Sequence, residues 1–406
     1  MRLIFMPGKL LWCGLSALIL CMSACRRQDI EPDPVGEPVS FNGPDKTVEQ
    51  LLEKSSHTLF YAAWKRSGIS EALKRKGINA VTVLAPADKA LQAGGWTMDR
   101  INNATVADLD SLVRYYTSSG RIEQTSLALR PGNYALKTLL LSASIPNFDE
   151  SNPYQYYMYA GRHNDSLYVN GKGVNKWGLA MEATNGTIYP IEQLIPKPET
   201  DMLTWLQADG RFTFYLEAMR ISDSLYTDAS WWDLQRQNLP LLSAMPMTGG
   251  SFTVFAPTNN AFIKSGFTSV EDIRQYAMRA LPIGEPYSDE NGYYVYPVSP
   301  MDSILLPHRM DQTGGNGPIS PDRKPLPLLF FNNDMTDNKM LSGMMIWLGN
   351  IGQGPNVYVR IEFSNSNGQA AIRRLHSTHT PIPLAEKNIM LLNGLIHVVD
   401  EGLLVP

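Results

Sequence analysis

Residues Thr253 to Phe262 read TVFAPTNNAF, and the same pattern stands earlier in the chain at Thr82 to Leu91 as TVLAPADKAL. The β-branched and apolar run Thr253, Val254, Phe255 spells a buried strand. Pro257 cannot extend a hydrogen-bonded ladder, so it ends the strand and opens a turn or helix. In the earlier copy Thr82, Val83 and Leu84 make the strand, Pro86 the break, and Asp88 the acid that a helix N-terminus favours. The repeated decapeptide predicts an internal duplication.

Two further landmarks recur in the same order, as a duplication requires. Upstream, Phe60-Tyr61 returns as Phe214-Tyr215. Downstream, Asn185-Gly186-Thr187-Ile188-Tyr189 returns as Asn393-Gly394-Leu395-Ile396-His397, and each copy runs on to a proline, Pro196 and Pro406. Compared with the first copy, the second gains about 17 residues before its strand and about 37 after it, as loop insertions grow on a shared scaffold.

A tandem unit with an amphipathic helix, a T-V-F-A-P-T-x-x-A-F strand-turn-helix and a closing N-G-x-I-H-V-x-D strand resembles the fasciclin domain. The second copy carries the motif in Thr253 to Phe262, Asn393, Gly394, Ile396, His397, Val398, Asp400 and Pro406; the first has Leu84, Tyr189 and Glu192 in place of Phe255, His397 and Asp400. The resemblance implies an α+β fold of two tandem fasciclin-like β-wedge domains with packed helices, residues 45–198 and 199–406, the second with long insertions. It also implies adhesion or extracellular binding. Many members carry a Tyr-His pair near the end of a helix. Here Tyr115-Tyr116 stands in the first copy and Tyr276-Ala277 aligns in the second, so the histidine is expected to be missing from both and no receptor-binding role is carried over.

Residues 1–24 read as a signal peptide. Arg2 and Lys9 precede the apolar run Leu10 to Leu20, and Met22-Ser23-Ala24 forms a small-residue cleavage site before Cys25. The arrangement resembles a bacterial lipobox, in which Cys25 takes the lipid. A simple secretory signal is the alternative; a spanning helix is disfavoured because the run falls short of the roughly 18 residues a span needs. Cys13, Cys21 and Cys25 are the only cysteines, so cleavage would leave no thiol for a disulfide or a thiolate metal site. Without Arg2 and Lys9 the chain keeps 33 basic against 39 acidic residues, a net charge of −6 that argues against unspecific nucleic-acid binding. Residues 25–44, rich in proline with several acids, predict an extended tether. Arg26 fits sorting to an outer membrane, and a lipid-anchored, surface-exposed location is the expectation.

Thr47 with Gln50 predicts a capping box, and Leu59, Phe60, Ala63 and Trp64 keep helical spacing. Lys74-Arg75-Lys76 before Gly77 reads as cations on a last helical turn rather than as a basic binding patch. Thr105 and Asp108 open a helix with Val106, Leu109, Leu112, Val113 and Tyr116 on its apolar face, followed by a polar loop, Thr117 to Gly120. In the second copy Met202, Leu203, Trp205 and Leu206 begin the counterpart helix. Trp231-Trp232 suit a sugar-stacking platform, although stapling an insertion to the core is the stronger reading. Nine prolines between Pro282 and Pro327, with Gly314, Gly315 and Gly317, predict a long decorated loop without regular helix, and such loops commonly bind partners. Met344, Met345, Ile346 and Trp347 predict a core strand, and Val357 to Phe363 alternates as a half-buried one.

The common catalytic signatures are absent: there is no G-x-S-x-G, H-E-x-x-H, Walker or G-x-G-x-x-G motif. His376 and His379 stand three apart in strand- or loop-like sequence, which would turn their rings to opposite faces. His397 inside its strand reads as a structural side chain, and Asp149-Glu150 and Asp289-Glu290 sit in turn-like sequence. The sequence thus points to an envelope-anchored, non-enzymatic binding or adhesion protein without a cofactor, its ligand an extracellular protein or glycan. An accessory role in glycan capture or an outer-membrane transport complex is the alternative.

Overall fold

The computed structural model describes residues 43–130, 132–146, 151–225, 252–280, 287–288, 294–295, 300–310, 318–337, 341–350, 356–366 and 369–405. The leader, Cys25, nearly all of the tether, Trp231-Trp232, Asp149-Glu150 and Asp289-Glu290 lie outside them. Residues 44–406 form one compact unit.

The first domain opens with α1 (Val48–Glu53), α2 (Thr58–Ser67) and α3 (Ile69–Arg75). The Thr47 to Gln50 capping box is present, and the α2 residues Leu59, Phe60, Ala63 and Trp64 are buried. Gly77 follows the Lys74-Arg75-Lys76 turn with φ of 65°, a left-handed conformation that suits glycine. Next come β1 (Val81–Pro86), α4 (Asp88–Ala93), α5 (Met98–Asn103) and α6 (Val106–Tyr115), then β2 (Thr117–Ser119) and α7 (Gln124–Leu129). The domain closes with β3 (Tyr134–Ser142), β4 (Tyr154–His163), β5 (Ser166–Val169), β6 (Lys172–Lys176), β7 (Met181–Ala183) and β8 (Gly186–Ile191). These strands make an eight-stranded sheet in the order β6-β5-β4-β3-β2-β1-β8-β7.

Two expectations need correction here. Thr117 to Ser119 is a strand, not a loop: it pairs antiparallel with β1 in the sheet interior, where the Ser118 hydroxyl donates to Lys137 O and that of Thr117 to Val113 O. Hydrogen bonding inside the fold satisfies the hydroxyls that made it look like a loop. Val106, expected on the apolar face of α6, is 57% exposed, while Leu109 and Val113 of that face are buried.

The second domain repeats the frame with α8 (Met202–Gln207), α9 (Thr213–Ser224), β9 (Phe252–Pro257), α10 (Asn259–Lys264) and α11 (Val270–Ala277). A two-stranded ribbon, β10 (Tyr287–Ser288) and β11 (Tyr294–Val295), precedes α12 (Asp302–Leu305) and β12 (Arg309–Met310). After α13 (Asn332–Asp337) come β13 (Met344–Asn350), β14 (Asn356–Ser366), β15 (Gln369–Arg374), β16 (Ile382–Leu391) and β17 (Gly394–Val399). The sheet order is β12-β9-β17-β16-β15-β14-β13. Met344, Met345 and Ile346 are buried, as are Val359 and Ile361 of the alternating strand.

The two domains are the same frame built twice. β8 lies parallel to β1 with Val81 opposite Gly186, and β17 lies parallel to β9 with Phe252 opposite Gly394. The glycine opposite the strand start has a steric reason, since a Cβ on Gly186 would run into the carbonyl oxygen of Val81.

The Pro282 to Pro327 stretch is also corrected. Its residues 300–310 are core, not a surface loop: Met301, Ile304, Leu305, His308 and Met310 are buried, and Arg309 pairs with Val254 of β9. Arg309 opposite Val254 matches Thr117 opposite Val83, so Met301 to Met310 is the counterpart of Leu109 to Ser118. α12 is therefore the end of the helix that α6 supplies in the first domain.

Candidate functional site

The recurring motif residues do structural work at both copies of one site, the junction of the strand pair with the helices. Asp88 Oδ1 accepts from Leu59 N at 2.9 Å, and Asn259 Oδ1 accepts from Phe214 N at 2.9 Å, so the residue after the A-P-x motif caps the second helix of each domain. Asn185 Oδ1 accepts from Val48 N at 2.8 Å and Asn393 Oδ1 from Met202 N at 2.9 Å, so the N-G asparagine caps the opening helix. These bonds tie sequence ends of each domain together and explain why the motifs recur.

At the helix end the structure revises the Tyr-His reading. The counterpart of Tyr116 is His308, within Pro307-His308, not Ala277. In the first domain the buried Tyr116 hydroxyl donates to Ile195 O at 2.7 Å and accepts from Ile195 N at 2.9 Å. In the second, His308 Nε2 accepts from Leu404 N at 3.0 Å, which leaves Nδ1–H to donate to Phe255 O at 2.7 Å. Each side chain bolts the segment after the closing strand onto the helix end. Burial pushes the Tyr116 phenol above its usual range and the His308 imidazole down to about 4, so both are neutral in ordinary conditions. The sequence signal for His308 was the echo of Leu109-Asp110-Ser111-Leu112-Val113 in Met301-Asp302-Ser303-Ile304-Leu305, hidden behind the insertion.

His397 has the structural role its strand suggests. Its Nδ1 accepts from Asn388 N at 3.4 Å, its Nε2–H donates to Phe330 O at 2.8 Å, and its ring stacks on Phe255 with centroids 5.3 Å apart. Burial holds it at about 4 as well. With both ring nitrogens committed and no solvent access, it offers nothing to a substrate. His376 and His379 are exposed in a turn, and among the described residues no group of three or more His, Cys, Asp or Glu is placed to hold a metal.

An open cleft of about 550 Å³ lies beside Tyr115-Tyr116, a size typical of ligand pockets. One wall is α5 with Trp96 just before it, the floor is the α6 face with Ser111 and Leu112, and the other wall is the exit segment Leu194 to Glu199. Tyr115 donates its hydroxyl to Pro196 O at 3.1 Å and holds that wall in place.

The two domains also touch directly. Tyr154 donates its hydroxyl to Leu392 O at 2.5 Å, Asn133 Nδ2 to Asp334 Oδ2 at 2.7 Å, and Asn388 Nδ2 to Gly171 O at 2.9 Å, while Tyr159 and Phe331 rings sit 5.5 Å apart. Asn388 sits at a bulge in β16 with φ of 59° and also accepts from Asn332 N at 2.9 Å. Nothing in the sequence pattern announced this seam.

Residues 55–197 match the Fasciclin domain family. The first domain is a fasciclin domain. The match falls on the first copy, whose strand and closing motifs depart further from the family pattern, and the second domain shares its frame. A solved FAS1 domain pair from the insect cell adhesion molecule fasciclin I is 15% identical, with 86% of this chain and 97% of that chain covered and a TM-score of 0.32. No curated protein matches significantly. Fasciclin domains are typically adhesion and binding modules, and the match of residues 55–197 supports a role of that type.

Proposed function

We propose that the chain is a cell-envelope-anchored binding protein that presents two fasciclin-like domains to an extracellular protein or glycan. The carrying observation is the open cleft on the first domain, set on a frame in which the buried His308 and His397 are committed to backbone hydrogen bonds and Asp88 caps a helix. A recessed, mixed-polarity cleft of this size suits ligand binding. Anchoring rests on the Cys25 lipobox, and the tether of residues 25–44 is long enough to hold the domains off a membrane. Sorting to the outer membrane with the domains facing outward is part of the proposal and rests on Arg26.

The test uses cells that carry the chain. Such cells should adhere to an immobilised panel of glycans and matrix proteins more than cells lacking it, and Cys25→Ser should abolish adhesion while releasing the protein in soluble form. Intact cells whose protein resists both surface proteolysis and antibody labelling would overturn the outward placement.

A further inference from the structure

The lining of the first-domain cleft specifies a ligand class. Arg100 lies over the Trp96 ring, its guanidinium carbon 4.2 Å from the centroid, and one of its nitrogens donates to Gly95 O at 3.2 Å. Lys197, on the opposite wall, lies over Tyr156 at 5.7 Å. Among the described residues neither cation forms an ion pair, so two positive groups braced on aromatic rings face one cleft with their charges uncompensated by any salt bridge. A guanidinium over an indole, with one nitrogen donating to Gly95 O, keeps further N–H groups to donate to a carboxylate.

The same cleft holds acceptors. Asp108 and Glu199 carry carboxylates, and Asn103, whose Nδ2 is spent on Asp99 O at 2.9 Å, has its carbonyl oxygen to offer. Such groups suit hydroxyl donors and repel a ligand dense in phosphate or sulfate. Leu112 and Pro196 supply apolar patches for a C–H face. A ligand that satisfies all three is polyhydroxylated, bears an isolated carboxylate and has an apolar face. We propose that the cleft binds a glycan containing uronic acid, with Arg100 and Lys197 taking the carboxylate and the cleft's acidic and amide groups taking hydroxyls. The inference rests on the binding role proposed above and names the ligand for it.

Isothermal titration of residues 26–406, which keep the whole compact unit, with a trigalacturonate would show one saturable site. The carboxyl-reduced trisaccharide should bind at least about tenfold more weakly, the loss expected for a charge-assisted pair. Arg100→Gln and Lys197→Gln should each weaken trigalacturonate by a similar factor. Arg162→Gln, at a cation that lies over Trp177 away from the cleft and pairs with Asp165, should leave it unchanged. Equal binding of acid and neutral sugar, unchanged binding in Arg100→Gln, or tighter binding of an acidic hexapeptide at this site would overturn the inference. Failure with uronates while the chain still captures another partner would retire the ligand class and leave the binding role standing; failure with every partner would retire both.

Discussion

Acid should unfold the second domain before the first, and the two buried imidazoles set the size of the effect. His308 and His397 are fully enclosed, each accepts a backbone N–H on one nitrogen and donates from the other, and each is held at about 4 against an ordinary 6.5. The lowered value in the folded state means that the unfolded chain takes up protons first. Stability is therefore intact above pH 6.5 and is lost progressively as pH falls toward 4. At pH 4.5 the linkage amounts to roughly 2–3 kcal/mol for each ring, so the two together are a large part of the roughly 5–15 kcal/mol that stabilises a typical domain. Both rings meet at Phe255, one through its carbonyl and one through its ring, so the loss concentrates on the β9 and β17 pair. Urea unfolding at steps from pH 7.5 to 4.5, with hydrogen exchange followed by mass spectrometry, measures it. Peptides covering β9, β17 and Leu404 should lose protection on acidification well before those covering β1, β8 and Ile195. His308→Gln supplies one donor and one acceptor without titrating, and should remove about half of the pH slope. Equal loss of protection in both domains, or an unchanged slope in a folded His308→Gln protein, would refute the reasoning.

Other outcomes follow from the same contacts. Asp334 works in the opposite sense: burial raises its carboxyl from 3.8 to about 6, so the folded state gains about 2 kcal/mol between pH 7 and 4.5, and Asp334→Asn should steepen the acid loss by that amount in the same urea series. Asn393→Ala removes the cap on Met202 N and should cost about 1–2 kcal/mol in denaturant midpoint, as should Asn185→Ala at Val48 N. Tyr116→Phe leaves the Ile195 N–H and carbonyl without their partner and should cost about 1–3 kcal/mol, read by thermal unfolding. Gly171→Ala, at φ of 72° with Asn388 packed where a Cβ would sit, should loosen the seam and raise the radius of gyration in small-angle scattering without unfolding either domain.

The duplicated frame was legible because its landmarks are local. A strand that stops at proline, a cap residue two positions on, and an N-G turn into the closing strand are all written in short runs, and the cap residues and the N-G asparagines each accept a backbone N–H at a helix start. The polar strand Thr117 to Ser119 was illegible because its backbone pairs with β1 and its Ser118 hydroxyl bonds to β3, both distant in sequence. His308 was missed because an insertion separates it from α11, and proline richness argued for loop across residues that in fact enter the core. The seam depends on Asn133, Asn388, Asp334 and Tyr154 from distant segments, and no periodicity encodes contacts between surfaces. The cleft likewise joins Trp96 and Arg100 to Lys197 across the domain, a juxtaposition visible only once β8 has returned the chain beside α6.

The most direct test of a binding role is whether residues 26–406, purified and immobilised, capture anything from an array of glycans and extracellular matrix proteins. The account predicts saturable binding of at least one class of ligand, unaccompanied by turnover of that ligand on prolonged incubation. Release of cleaved product, abolished by replacing a single carboxylate in the chain, would contradict it.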